Sequence, residues 1–84
     1  MQDNSLRERF QGNWKQLQGG VRQEWGKLTH NDVQEVQGDV ERLAGKIEER
    51  YGVTKAEARR QIERWTVAFL AHRAEQAKSD TQES

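Results

Sequence analysis

The chain contains no cysteine and no proline. Without cysteine there is no disulfide, no thiolate nucleophile and no Cys-ligated zinc site, and the composition suits a reducing compartment. Without proline, helices run uninterrupted and rigid loops are disfavoured. Net charge is also missing: 14 basic residues balance 14 acidic ones, so no global field draws the chain onto nucleic acid or anionic lipid. No apolar run approaches the roughly 20 residues that span a bilayer. The first ten residues, MQDNSLRERF, hold no apolar stretch of the kind a secretory leader needs. The expected location is the cytoplasm, with no membrane partner. Apolar residues are scarce, at 32% with a mean hydropathy of −1.19. A single domain of 84 residues must then bury a lean core, and only strong periodicity argues against disorder.

That periodicity is present. Phe10, Trp14, Leu17, Val21, Trp25 and Leu28 recur at steps of three and four, as do Val33, Val36, Val40, Leu43, Ile47 and Tyr51. Ala58, Ile62, Trp65, Phe69 and His72 form a third set. Each set lies along one face of an α-helix. The first two sets also repeat one another. FQGNWKQLQGGVRQEWGKL from Phe10 aligns with VQGDVERLAGKIEERYGVT from Val36 at an offset of 26 residues. Phe10 meets Val36, Gly12 meets Gly38, Trp14 meets Val40, Gly19 meets Gly45 and Trp25 meets Tyr51, joining apolar to apolar and glycine to glycine. A repeat of that length reads as one supersecondary unit used twice.

Punctuation agrees with the stripes. Gly26 and Gly52 stand where left-handed residues would end helices. Thr54-x-x-Glu57 is a capping-box pattern, and Thr29-x-x-Asp32 is a close relative. Helices therefore stop near Trp25 and Tyr51 and restart after Thr29 and Thr54. The internal glycines, each costing roughly 1 kcal/mol against alanine, read as close helix packing or as breaks, with Gly12 and Gly38 the expected breaks. The fold class follows: all-α, a small bundle of two packed α-hairpins with four to five helices, produced by internal duplication. Residues 1–78 form the single domain, and 79–84, SDTQES, form a disordered tail. The expected core comprises Trp14, Leu17, Val21, Trp25, Val40, Leu43, Ile47, Tyr51, Ile62 and Trp65.

Chemistry-bearing constellations are few. Serine occurs only at Ser5, Ser79 and Ser84, and no nucleophile–base or metal-ligand spacing is present, so no enzyme activity, catalytic residue or cofactor is assigned. His72 and Glu75 have a spacing compatible with a metal, but a partly exposed histidine is much the stronger reading of His72, and no metal site is assigned. The three tryptophans lie on the apolar stripes, which reads as core in preference to base stacking. Two surface features remain. Arg42, Lys46 and Arg50 step by four along one helix face and make a candidate anion or partner face, joined by a second cluster at Arg59, Arg60 and Arg64. Interleaved acidic residues make a solvated surface the stronger reading of both. Val67 and Leu70 lie off the stripe of Trp65 and Phe69, so WTVAFLA at 65–71 is apolar over a broad arc. Such a helix finds cover within the monomer or pairs with a partner, which makes Val67 and Leu70 a candidate self-association face for a homodimer.

Longer strings carry a resemblance. NWKQL at 13–17, EWGKLT at 24–29, Asp32, GKIEERYG at 45–52 and the late Trp65 resemble the CsbD-like family of small bacterial stress-response proteins, over residues 8 to 66. The resemblance implies a SAM-domain-like helical bundle and a non-enzymatic general stress-response protein in the cytoplasm. Its mechanism would be surface contact with an unidentified protein partner or with itself, without a small-molecule substrate. The chain departs from the family pattern at Gly20, where lysine is usual, at His30 and Asn31, where acidic residues are usual, and in the segment from Thr66 onward. The alternative reading is a small nucleic-acid-binding helical module, since LQGGV and LAGKI are similar, at the level of fold analogy, to helix–hairpin–helix units. Neutral charge weighs against it.

Overall fold

The structure, a computed structural model, describes the backbone of residues 2–83 and the side chains of residues 5–73. Five helices follow in order: α1 Gln2–Gly12, α2 Trp14–Glu24, α3 His30–Val36, α4 Val40–Tyr51 and α5 Lys55–Glu83. No strand occurs among the described residues. Helix α4 is the central element and touches α1, α3 and α5, while α2 packs against α1 and α3. The all-α architecture expected from the stripes is the one observed.

Both expected breaks occur, by different means. Helix α1 ends at Gly12, and the break falls on Asn13, whose φ of −110° and ψ of 16° leave the helical region without turning left-handed. Between α3 and α4, Gln37 (φ 49°) and Gly38 (φ 79°) are both left-handed. Gly38 also nestles 3.3 Å, measured from a hypothetical Cβ, against the Cβ of Trp14. The two halves therefore share positions but not geometry. Helices α3 and α4 have seven and twelve residues, whereas α1 and α2 have eleven each.

The helix ends correct two details. Gly52 is left-handed at φ 67° and caps α4, its N–H donating to the Glu48 carbonyl. Gly26 is not left-handed. Instead Trp25 caps α2, and a turn closed by the Leu28 N–H on the Trp25 carbonyl at 3.0 Å carries the chain away. The turn supplies the reversal that a left-handed residue would otherwise supply. The complete capping box is at Thr29: its hydroxyl accepts from the Asp32 N–H, and the Asp32 carboxylate accepts from the Thr29 N–H, both at 3.0 Å. At Thr54 the hydroxyl accepts from the Glu57 N–H at 3.1 Å, but the Glu57 carboxylate is engaged by Gln61 and Arg60.

The stripes converge on one core. Phe10, Leu17, Val21, Val36, Leu43, Ile47 and Ile62 are fully buried, and Trp25, Leu28, Val33 and Val40 nearly so. Trp14, Tyr51 and Trp65 are only half-buried and pack on its margin. Trp25 sits edge-on to Trp65 with centroids 5.3 Å apart, and Trp65 lies 5.1 Å from Phe69. Edge-to-face aromatic contacts of this kind add about 0.5–1.5 kcal/mol beyond area burial. Gly20 receives them: a Cβ there would lie 2.8 Å from the Phe69 ring and 3.0 Å from the Trp65 ring. Gly12, Gly19 and Gly45 have open space instead, so close packing explains Gly20 and Gly38 alone among the internal glycines. Helix α5 is described as far as Glu83, and the segment expected to be a tail is residues 79–84. Of that tail, Ser84 and the side chains lie outside the described residues.

Candidate functional site

The α3–α4 face is built by the short connection between the two helices. Asp39 caps α4, its carboxylate accepting from the Glu41 and Arg42 N–H groups at 2.9 and 3.4 Å. That start sets the register of α4 so that Arg42, Lys46 and Arg50, one turn apart, all turn toward α3. Arg42 donates to the Glu35 carbonyl at 3.2 Å and lies 3.9 Å from Asp39. Lys46 forms an ion pair with Glu35 and stands 3.5 Å from Asp32. Arg50 donates through Nε and Nη2 to the two oxygens of Asp32, at 3.0 and 3.2 Å. The structure thus brings the three sequence-predicted cations together along one face and turns them onto the acids and a carbonyl of the neighbouring helix.

Asp32 is the centre of this arrangement, a role invisible in its reading as a cap residue. Its side chain is buried. The Thr29 N–H is the largest influence on its carboxyl, followed in the same direction by Arg50 and the Thr29 hydroxyl, while burial opposes them; together they hold it down from 3.8 to about 2. The lysine and the arginine respond in kind. Lys46 is raised chiefly by its hydrogen bond to Glu35, and Arg50 chiefly by its hydrogen bond to Asp32. A bidentate Arg–carboxylate pair is among the stronger polar contacts available to a small domain. The signal for it was present in the sequence, since acids on α3 and bases on α4 occupy helices joined by a turn of three residues.

Two open grooves flank Arg42. One, of about 440 Å³, is lined by Arg7, Glu8, Gln11, Gln37, Gly38, Asp39, Val40 and Arg42. The other, of about 530 Å³, is lined by Glu35, Gln37, Arg42, Gly45, Lys46 and Glu49. Both mix acids with bases. The second basic cluster is likewise engaged: Arg59 and Lys55 pair with Glu41, and Arg60 lies 3.5 Å from Glu57, while Arg64 is exposed. Among the described residues no group of three or more His, Cys, Asp or Glu side chains converges to hold a metal. The Glu75 side chain lies outside the described residues.

Helix α5 separates its two candidate residues. Leu70 is half-buried against the core. Val67, 47% exposed, is the one exposed large apolar side chain among the described residues. Inward, Ile62 and Thr66 are fully buried. No helix among the described residues is long and apolar enough to cross a membrane.

A family model described as CsbD-like matches residues 8–60. The chain belongs to the CsbD-like family. It is 46% identical over 54 residues to the UPF0337 protein YjbJ of Escherichia coli K12, covering 64% of this chain and 78% of that protein. It is 49% identical over 51 residues to a UPF0337 protein of Bordetella pertussis, covering 61% of this chain and 77% of the other. A UPF0337 protein of Pectobacterium atrosepticum is 39% identical over 59 residues, 70% of this chain and 86% of that one. No solved structure matches. The CsbD-like region contains the whole α3–α4 face and Gly20. It ends at residue 60, so Trp65, Val67, Phe69 and Leu70 lie beyond it.

Proposed function

We propose that this CsbD-like protein is a non-enzymatic general stress-response protein of the bacterial cytoplasm that acts through surface contacts. Family membership supports the stress role. The observation that carries the surface-contact reading is the closure of charge on the α3–α4 face, where Lys46 and Arg50 spend themselves on Glu35 and Asp32. A face so neutralised presents little counter-ion to release and has weak attraction for a polyanion. Abundance of the protein on entry into stationary phase and after osmotic shock tests the stress role; an unchanged level under both would overturn it. Covalent capture of contacts in stressed cells then identifies the partner.

A nucleic-acid-binding role is the second reading, favoured by Arg42, whose side chain is 59% exposed and borders both grooves. Electrophoretic mobility at about 150 mM salt separates the two. The surface-contact reading expects no submicromolar binding to DNA or RNA. Submicromolar binding that is lost in the Arg42/Lys46/Arg50 triple alanine variant would establish the second reading.

A further inference from the structure

We infer that the stretch of α5 from Trp65 to Leu70 is a strap, which closes on α2 at Gly20 and opens by itself while the rest of the bundle stays folded. Helix α5 is held in two unlike parts. The first, from Lys55 to Ile62, is tied to the bundle by several kinds of contact. Thr54 caps it, Glu41 engages Lys55 and Arg59, and the Trp25 indole N–H donates to Gln61 at 3.0 Å. Ala58 and Ile62 are fully buried. The second part has no polar tie: among the described residues, the side chains of 63–70 make no hydrogen bond or ion pair. Trp65, Phe69 and Leu70 are half-buried on the margin of the core, and Glu63, Arg64, Val67 and Ala68 are exposed. Thr66 is the one fully buried side chain of the stretch, and its hydroxyl has no partner.

Two opposed effects set the balance. Closing seats Trp65 against Trp25 and Phe69 against Trp65, which favours the closed form through area burial and ring geometry. It also takes the Thr66 hydroxyl out of water without a hydrogen bond, which favours the open form. The seat is Gly20. A Cβ there would lie 2.8 Å from the Phe69 ring and 3.0 Å from the Trp65 ring, so the rings settle because that backbone is bare. A segment with few buried contacts belongs to the low-stability end of a fold's local openings. Once released, a helical stretch this short is marginal in water and loses its backbone hydrogen bonds. Opening puts Trp65 and Phe69 in water and uncovers α2 at Gly20, so the strap governs how much aromatic surface the protein presents. It lies beyond the CsbD-like region, which ends at residue 60. The inference does not rest on the stress-response reading, because the purified chain opens or stays shut whatever induces it in the cell.

Residue-resolved amide hydrogen exchange of the full chain tests this, with rates corrected for the intrinsic rate of each amide. The amides of 67–70 should be at least about tenfold less protected than those of α4. Their exchange should also be nearly independent of low urea, because opening the strap exposes little surface. Val36→Ala weakens a core contact on α3 that the open form retains. It should therefore speed exchange in α4 and leave 67–70 unchanged. Gly20→Leu fills the seat of the rings and should remove at least about tenfold of the protection at 67–70 while α4 stays protected. Thr66→Val removes the unpaired hydroxyl and should slow exchange at 67–70 about fivefold. Equal protection of 67–70 and α4 in the parent overturns the inference. So does a Val36→Ala variant that speeds both regions by the same factor, or a Gly20→Leu variant that loses α4 protection together with the strap.

Discussion

Asp32 is where charge and helix geometry meet, and replacing it by asparagine tests whether they are coupled as described. The side chain is 6% exposed, so solvent screens it little. Its carboxyl is held at about 2 against an ordinary 3.8. A depressed acid contributes stability that is fully present above the ordinary value and lost as pH falls through the folded value. The window here is therefore about pH 4 to pH 2. The shift corresponds to about 2 kcal/mol in favour of the charged form, a large share of the stability of a domain this size. Asp32→Asn keeps the shape and an acceptor for the Thr29 N–H but removes the charge facing Arg50 and Lys46. Urea unfolding followed by tryptophan fluorescence should place Asp32→Asn about 2 kcal/mol below the parent at pH 7. The gap should close between pH 4 and pH 2, since other carboxylates titrate in both proteins and cancel in the difference. Arg50→Ala should raise the Asp32 value only part of the way, because the Thr29 N–H is the larger influence. A gap that persists unchanged to pH 2, or that is absent at pH 7, would refute the coupling.

Three further outcomes are expected from urea or thermal midpoints. Gly19→Ala should stabilise by up to about 1 kcal/mol through helix propensity, while Gly20→Ala next to it should not, because its Cβ would strike the Phe69 and Trp65 rings; equal effects would place those rings elsewhere. Thr66 is fully buried, and its Oγ1 has no hydrogen-bond partner, so Thr66→Val should stabilise by about 1 kcal/mol; a loss of stability would mean that the hydroxyl is satisfied. Gly52→Ala and Thr54→Ala should each cost about 1 kcal/mol, the first by strain at φ 67° and the second by loss of the α5 cap; unchanged midpoints in both would misplace that boundary.

Much of the architecture was legible before any coordinates. Helix content, the breaks at Gly12 and Gly38, the Thr29 and Thr54 starts and most of the core are encoded within three or four residues, the range over which a helix determines its own neighbours. Those features depend on local spacing, and spacing is what a sequence displays. The candidate surfaces were legible as lists of residues but not as arrangements. Arg50 meets Asp32 across 18 residues of separation, and only the docking of α4 on α3 turns a solvated-looking cationic row onto a buried acid. Gly19 and Gly20 are neighbours in one helix, yet one faces open space and the other two aromatic rings. Val67 and Leu70 both lie off the inner stripe, and the rotation of α5 on the bundle decides that Leu70 is half-buried against the core and Val67 exposed. Gly26 has the same place in the pattern as Gly52, but the tertiary path after Trp25 takes a hydrogen-bonded turn that needs no left-handed residue. The sequence by itself determined which segments are helical and which face of each is apolar. Tertiary structure decided which charges are spent internally and which apolar atoms remain exposed, because those outcomes depend on helix rotation and crossing, which no local period encodes.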